Sequence, residues 1–252
     1  MLSRDLKAAA RVREEILAQV PGAEVHSVRC DLASLASVRL CAQVIRSRFE
    51  AIALLINNAG VVNTRHRMSE DGFELTFAIN HLGPFLLTSL LLDRMAIPGR
   101  IVNIASRIHF RGTLELDDVA NAKAGYSSRA AYAQSKLANV MFTLALAHRL
   151  CGCGVTANCL HPGVIATNLL PGWLRLMKPL ISRAMFDVER GAQTTLHLAL
   201  SRDLAGISGC YFDEYQRRQA PAASAADSNQ QELLWRASER WTAGDAAHRI
   251  QC

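Results

Sequence analysis

Several features that would assign this 252-residue sequence to other classes of protein are missing. Although the net charge is +6, the basic residues are scattered without a long run, so we expect no nucleic-acid partner. No stretch reaches the roughly 18 apolar residues of a membrane-spanning helix, and the N-terminus lacks the apolar segment of a signal peptide. These absences predict a soluble chain, located in the cytoplasm or at the cytosolic face of an intracellular membrane.

The pattern for a disulfide framework or a metal site is also missing. The seven cysteines are odd in number and are scattered along the chain. Cys151 and Cys153 form a Cys-x-Cys pair, but no second pair or histidine cluster stands at the spacing of a zinc site. We therefore expect buried free thiols and no bound metal.

What the sequence does contain is an alternation of apolar runs with helical patterns, which indicates an α/β fold with a doubly wound parallel sheet. A single domain over residues 1–252 is expected, with a polar linker at 219–230 and a C-terminal helix at 231–242. The predicted strands cover 23–33, 52–60, 99–106, 155–163 and 209–212, and the predicted helices cover 4–19, 34–49, 70–95, 126–150 and 189–201.

Ligands bind such sheets beyond the carboxyl ends of the strands, so the residues there are candidates for chemistry. Ser106 ends one strand, while Tyr132 and Lys136 lie four residues apart on one face of the 126–150 helix. A lysine ammonium beside a tyrosine hydroxyl lowers the pKa of the phenol and makes it usable as a general acid or base. The alternative for this pair is an exposed helix face with a solvated lysine.

These motifs resemble those of the short-chain dehydrogenase/reductase family along most of the chain. The matching stretches are INNAG at 56–60, IVNIAS at 101–106, AYAQSKLAN at 131–139 and HPGVIATN at 161–168. DLASLASVR at 31–39, NHLGPFLLT at 80–88 and LLWRASERWTAG at 233–244 are similar to the retinol dehydrogenase branch. The resemblance implies a Rossmann-like fold and an NADP(H)-dependent oxidoreductase that interconverts a lipophilic alcohol and its aldehyde or ketone, as in retinol and lipid metabolism.

The same resemblance implies roles for individual residues. Tyr132 would exchange a proton with the substrate oxygen, Lys136 would lower the pKa of Tyr132 and bind the nicotinamide ribose, and Ser106 would polarise the substrate carbonyl. Asn80 would hold a water that relays protons to Lys136. The other cofactor contacts would be Asp31 and Leu32 at the adenine, Asn58, Ala59 and Gly60 at the adenosine ribose, and Pro162, Gly163, Ile165 and Thr167 at the nicotinamide carboxamide.

Simpler interpretations of several of these residues stay open. Asn58 could be a turn residue after a strand, and Pro162 with Gly163 could merely end one. Asn80 could be bonded only to backbone. His109 follows the strand that bears Ser106, and it is either a structural residue or part of the substrate pocket.

The apolar segment 168–189 is expected to cover the substrate, because burial of apolar surface drives the binding of a lipophilic molecule. A packed pair of structural helices and a shallow, peripheral contact with a membrane are the alternatives. Members of the family often form homodimers through their two long helices, here 70–95 and 126–150, so a homodimer is also expected.

The glycine-rich turn that binds the pyrophosphate in relatives is missing. The first glycine is Gly22, and no Gly-x-x-x-Gly-x-Gly occurs anywhere in the chain. By resemblance, the chain starts at the end of the family's second strand, so the first strand, the glycine loop and the first helix are expected to be missing. Because the first strand lies in the middle of the family's sheet, two exposed edges are expected.

Arg4 stands where relatives carry an arginine after that second strand. A guanidinium there would pair with the 2′-phosphate of NADPH, which favours NADP(H) over NAD(H). A solvated arginine at the start of a helix is the alternative. The missing glycine turn also keeps a second function open: a catalytically inactive family member that acts by binding a partner.

Overall fold

The computed structural model of the protein describes residues 1–119, 125–163 and 188–243. In these residues parallel strands alternate with helices in two separate sheets. The smaller sheet pairs β1 (Leu2–Ser3) with β2 (Val28–Arg29). The larger has the order β3 (Ile52–Asn57), β4 (Met95–Ile104), β5 (Val155–Leu160), β6 (Tyr211–Phe212) and β7 (Arg218–Gln219), in which only the β6–β7 pair is antiparallel.

The helices lie on both faces of the strands, as the sequence predicts for a doubly wound fold. They are α1 (Leu6–Gln19), α2 (Leu35–Arg48), α3 (Leu75–Phe77), α4 (Gly83–Leu91), α5 (Ser128–Arg149), α6 (Val188–Leu200), α7 (Ala223–Ala226) and α8 (Ser228–Thr242). Along β4 the side chains alternate: Ile101 joins the apolar cluster under α5, while Val102 and Ile104 join the cluster under α6. This burial on both faces explains the continuous apolar run of the strand.

The two sheets are separated between β1 and β3, which share no hydrogen bonds in the described part of the chain. Ile56 of β3 is 37% exposed, although it belongs to a continuous apolar run. On α1, Leu6 and Val12 are also exposed and only Ala9 is buried. The break in the sheet and its exposed edges therefore lie where the sequence predicts them.

The helix predicted over 70–95 is present, but it is not a single regular α-helix. It begins at Leu75, passes through a π-helical segment (Ala78–Leu82), continues as α4 and ends in a 3₁₀ segment (Leu92–Arg94). By length and composition Leu75–Arg94 could cross a membrane, and it is the one such helix among the described residues. Most of it is buried inside the fold, as expected for the core helix of a globular protein.

Two predictions about local structure are wrong. The strand over 23–33 is limited to Val28–Arg29, because β1 supplies only two residues for it to pair with. The segment 219–230 is not a linker, since it contains α7, and Ala222 and Ala225 are buried in the cluster beneath α5. Small residues at these positions allow close packing rather than flexibility.

The cysteines follow the prediction in part. Cys30, Cys41, Cys159 and Cys210 are free and buried. Cys151 is free but exposed, and Cys153 is disulfide-bonded, so the expectation of buried free thiols is wrong at these two positions.

The C-terminal helix α8 packs against the two long helices. Trp235 of α8 is buried, with its ring centroid 5.1 Å from that of Phe85 on α4 and 5.8 Å from that of Phe142 on α5. The guanidinium of Arg149 lies 3.9 Å above the same indole ring. α8 thus packs across both long helices, and the homodimer through them stays a prediction.

Candidate active site

The predicted site residues gather at the carboxyl ends of the strands. Ser106 follows β4 and begins a 3₁₀ segment (Arg107–Arg111), and Tyr132 and Lys136 lie in the first half of α5. Asn80 lies in the π-helical segment, opposite them. The packing of α5 against β4, β5 and the 3₁₀ segment brings these four residues to one place.

The hydroxyl of Ser106 lies near the phenol of Tyr132. Burial of the phenol raises the pKa of Tyr132 above its ordinary value, and the nearby Ser106 hydroxyl opposes that rise. The predicted lowering of the Tyr132 pKa by Lys136 is therefore wrong for the ligand-free protein. The physical reason is distance and direction: the Lys136 ammonium lies 5.8 Å from the centroid of the phenol ring and donates its hydrogen bond elsewhere.

Lys136 is buried, with 3% of its surface exposed. Its Nζ donates to the carbonyl oxygen of Ile104, 2.8 Å away at the end of β4. Burial of the ammonium lowers the pKa of Lys136 to about 8. The alternative of an exposed, solvated lysine on this helix face is thus wrong.

Asn80 is held by the backbone of residue 61. Its Oδ1 accepts from the Val61 N–H at 2.8 Å, and its Nδ2 donates to the Val61 carbonyl at 3.0 Å. Nδ2 also lies 3.0 Å from the Oγ of Ser135, which donates to the Tyr132 carbonyl at 2.8 Å. Asn80 therefore links the segment after β3 to the helix turn that carries Tyr132. The water relay from Asn80 to Lys136 stays a prediction.

Gly60 lies beside these two side chains. A Cβ built there would lie 3.4 Å from the Lys136 Nζ and 3.5 Å from the Asn80 Oδ1. It would occupy the space in front of both polar groups. Gly60 is predicted at the adenosine ribose, whereas it lies beside Lys136, which is predicted at the nicotinamide ribose. The cofactor contact of Gly60 stays a prediction.

A buried polar network fixes the strands that lead into the site. The Asn57 Nδ2 donates to Asn103 Oδ1 at 2.7 Å and to Thr88 Oγ1 at 3.0 Å. Asn103 in turn donates to Thr143 of α5 at 2.9 Å. These bonds join β3, α4, β4 and α5 in one arrangement, so the ends of the strands are held in register with Lys136.

The predicted adenosine contacts lie at the ends of β1, β2 and β3. Asp31 follows β2, and its carboxylate accepts from the Ala33 N–H at 3.0 Å. Leu32 packs against the start of α4: a Cβ built at Gly83 would lie 2.7 Å from the Leu32 carbonyl oxygen. Asn58 and Ala59 are exposed after β3, and Arg4 is exposed after β1. An open row of polar and small residues at one end of the sheet fits an extended nucleotide.

The comparisons with known proteins agree with this geometry. The model of the short chain dehydrogenase family matches residues 1–174. The chain belongs to the short-chain dehydrogenase family. Human retinol dehydrogenase 13 is 40% identical over 247 residues, which cover 94% of this chain and 74% of that protein, and this places the chain in the retinol dehydrogenase-like branch.

Solved structures show the same fold. The crystal structure of an uncharacterized protein from Mycobacterium paratuberculosis is 31% identical, with a TM-score of 0.77, and covers 99% of this chain and 85% of that one. A blue fluorescent protein from a metagenomic library, in complex with NADPH, is 25% identical with a TM-score of 0.64, covering 82% and 80% of the two chains. The dehydrogenase is therefore a Rossmann-like α/β protein with a mostly parallel central sheet.

The predicted nicotinamide contacts are described only in part. His161 follows β5, and Pro162 and Gly163 come next, half-buried, with Gly163 at a φ of 84°. The predicted contacts Ile165 and Thr167, and nearly all of the predicted substrate cover at 168–189, lie outside the described residues.

Several residues of the site were missed by reasoning from the sequence. Ser135 stands three positions after Tyr132 on the same helix, so its spacing could have drawn attention to it. The carbonyl of Ile104 and the backbone of Val61 carry no sequence signal, since every residue has a backbone. His109, which the sequence left between a structural role and the substrate pocket, is buried and contacts the carbonyl of Ser106.

Proposed function

We propose that this dehydrogenase uses NADP(H) to interconvert a lipophilic alcohol and its aldehyde or ketone, with a retinoid as the representative substrate. The observation that carries the proposal is the arrangement of Tyr132, Ser106 and Lys136. A phenol beside a serine hydroxyl, with a buried ammonium behind it, is suited to move a proton to or from an oxygen between them.

In the direction of reduction, Tyr132 transfers its phenolic proton to the substrate oxygen as the carbonyl becomes an alcohol. The hydroxyl of Ser106 donates to the same oxygen and stabilises the negative charge that develops there. Bound NADPH supplies the hydride that reaches the carbonyl carbon. The Lys136 ammonium stabilises the tyrosinate that is left, and a pKa of about 8 leaves most of this group charged at pH 7.

The choice of NADP(H) over NAD(H) rests on Arg4. Its guanidinium is exposed at the carboxyl end of β1, and α1 begins two residues later, with Asp5 as the N-cap. A planar, permanently charged group in this position suits the 2′-phosphate of the adenosine ribose. The NADPH bound to the related blue fluorescent protein supports the same choice.

The substrate class is inferred from the relatives. Retinol dehydrogenase 13 is named for a lipophilic alcohol, and the apolar composition of 168–189 suits a cover over such a molecule. Location at a membrane surface, where lipophilic alcohols partition, is compatible with this proposal.

A second candidate is an inactive member of the family that binds a partner. The observation that favours it is the break between β1 and β3, together with the lack of a glycine-rich turn for the pyrophosphate. Both candidates share the same fold, so cofactor binding separates them.

The first experiment measures NADPH binding by fluorescence titration and by thermal shift. At a concentration of 100 times Kd, binding stabilises the folded chain by about 2.7 kcal/mol, which raises Tm by about 5–10 °C in a protein of this size. No binding at millimolar NADPH would reject the enzyme and favour the inactive binding protein.

The second experiment tests the role of Tyr132 with all-trans-retinal and NADPH. Tyr132→Phe should lower turnover by about 10²–10⁴-fold, because the proton donor is lost while the ring remains. The Kd for NADPH should stay within about twofold of the wild-type value, since the variant keeps Lys136 and the strand ends. Turnover that survives in Tyr132→Phe would refute the assigned role.

A further inference from the structure

His109 connects the serine of the site to the C-terminal part of the chain. It lies in the 3₁₀ segment that Ser106 begins, and its side chain is completely buried. Its Nδ1 lies 2.7 Å from the carbonyl oxygen of Ser106, and its Nε2 lies 3.2 Å from the backbone nitrogen of Ala222. The ring therefore bridges two backbone groups that are 116 residues apart in sequence.

The two backbone partners determine how the imidazole is protonated. The N–H of Ala222 can only donate, so Nε2 must accept and must carry no hydrogen. Nδ1 then carries the hydrogen and donates it to the carbonyl of Ser106, which can only accept. A neutral ring satisfies both bonds, and burial favours that form by lowering the pKa of His109.

The ring is also held from its sides. Its centroid lies 4.1 Å from that of Phe110 and 4.7 Å from that of Tyr211 on β6, which meets it edge to face. This packing leaves the imidazole in one orientation, so the bond to Ser106 has a fixed direction.

Ser106 has few other restraints. The last sheet bond of this segment is from the Ala105 N–H to the Leu160 carbonyl, at 2.8 Å, one residue before Ser106. The Ser106 Oγ accepts from the Ile108 N–H at 3.4 Å, which is long for such a bond. The Ser106 carbonyl is held by the His109 N–H at 3.0 Å and by the His109 ring.

We propose that His109 is a positioning residue, whose Nδ1–H bond to the Ser106 carbonyl holds the Ser106 hydroxyl against Tyr132. His109 touches neither substrate nor cofactor and acts through Ser106. The Ala222 N–H orients the ring, so the segment after β7 supports the site although it lies far from Ser106 in the sequence. The catalytic consequence rests on the proposed function; the placement of Ser106 against Tyr132 does not.

Two amide substitutions separate the two bonds of the ring. In His109→Asn the side-chain amide can still donate to the Ser106 carbonyl, whereas in His109→Gln the longer amide can accept from Ala222 but no longer reaches Ser106 correctly. We expect His109→Gln to lower kcat for retinal reduction about tenfold to a hundredfold, with the KM for NADPH unchanged. His109→Asn should keep kcat within about threefold of the wild type.

The double variant with Ser106→Ala tests whether the effect passes through Ser106. His109→Gln should change the remaining kcat less than about twofold in that background, because the hydroxyl that it positions is gone. Ser238→Ala serves as the control, since it removes a buried hydrogen bond to His81 at 2.9 Å and should lower Tm without lowering kcat. Equal losses of kcat in both amide variants, in proportion to their losses of Tm, would overturn the proposal.

A measurement that needs no turnover separates this proposal from the proposed function. The pKa of Tyr132 can be followed by ¹³Cζ-tyrosine NMR, with the signal assigned by its absence in Tyr132→Phe. His109→Gln should raise the Tyr132 pKa as Ser106→Ala does, since both take the Ser106 hydroxyl, which opposes the effect of burial, away from the phenol. If the wild type reduces no aldehyde, the proposed function fails, but the Tyr132 pKa in His109→Gln still tests the positioning role of His109. An unmoved pKa in His109→Gln would overturn the positioning role.

Discussion

Lys136→Met should make the ligand-free protein more stable while removing a residue that the proposed reaction needs. The Lys136 ammonium is buried, and burial alone accounts for the lowering of its pKa to about 8. A charge in this position costs stability at neutral pH, because burial removes its hydration and no carboxylate of the described residues forms an ion pair with it. Methionine has nearly the same length and carries no charge, so it can fill the space of the lysine stem.

The magnitude follows from the pKa. A decrease from 10.5 to about 8 corresponds to a cost of about 3 kcal/mol, at about 1.4 kcal/mol per pKa unit. The variant loses the bond from Nζ to the Ile104 carbonyl, worth about 1 kcal/mol. That carbonyl keeps the amide of Asn139, 3.3 Å away. The net gain is about 2 kcal/mol at pH 7, or about 4–8 °C in Tm for a chain of this length.

The pH dependence of unfolding checks independently that the Lys136 charge destabilises the folded chain. Between pH 8 and 10.5 the unfolded lysine binds a proton that the folded lysine has lost, so the stability of the wild type rises with pH across this window. The advantage of Lys136→Met should therefore shrink from pH 7 to pH 10 and disappear near 10.5.

Thermal unfolding of the wild type and the variant at pH 7, 8.5 and 10 measures both effects. Lys7→Met is the matched control, because Lys7 is exposed on α1 and should change Tm by less than about 1 °C. A Lys136→Met protein that is no more stable than the wild type at pH 7 would refute the reasoning. So would an advantage that does not change with pH.

Three further outcomes are expected. Arg4→Ala should raise the Kd for NADPH about tenfold to a hundredfold and leave the Kd for NADH unchanged, because a hydrogen-bonded pair with a charged phosphate is worth about 1.5–3 kcal/mol. Equal losses of affinity for both cofactors in fluorescence titrations would contradict the phosphate contact. Gly83→Ala should destabilise the chain by about 1–3 kcal/mol in urea unfolding, because the alanine Cβ would lie 2.7 Å from the Leu32 carbonyl oxygen. A gain in stability would contradict that contact. Acidification from pH 6.5 to 5 should lower the free energy of unfolding by about 2 kcal/mol for each of His81 and His161. Burial lowers their pKa values to about 3 and about 4, so only the unfolded chain binds these protons. A free energy of unfolding that stays constant over this range would be inconsistent with buried neutral rings.

The sequence predicts those parts of the site that depend on local periodicity. Four residues of helix place Tyr132 and Lys136 on one face, and an apolar strand places Ser106 at the carboxyl end of a parallel sheet. Helix and strand geometry thus suffice to bring these three residues together. The same reasoning gives the order of elements, since it follows from the apolar runs. The break beside β3 is instead expected from the resemblance to the family, whose first strand has no counterpart here.

The form of the helix around Asn80 does not follow from periodicity. The run of apolar residues over 75–94 predicts one regular helix, but Ala78–Leu82 is π-helical. The amide of Asn80 pairs with both polar groups of the Val61 backbone, 19 residues earlier in the chain. Such a pairing is a tertiary interaction, and a local pattern of apolar and polar residues cannot encode it.

Charge states in the site are set by burial, which the spacing of residues does not reveal. Four residues of separation suggest that Lys136 lowers the pKa of Tyr132, yet in the folded chain the ammonium is directed to the Ile104 carbonyl and burial raises the pKa of the phenol. The sign of the effect on the phenol therefore depends on where the lysine hydrogen bond goes. A ligand that offers hydroxyl groups beside Gly60 would compete with the Ile104 carbonyl for the Lys136 ammonium. Under the proposed function, cofactor binding would therefore free this ammonium from Ile104 and let it lower the pKa of Tyr132.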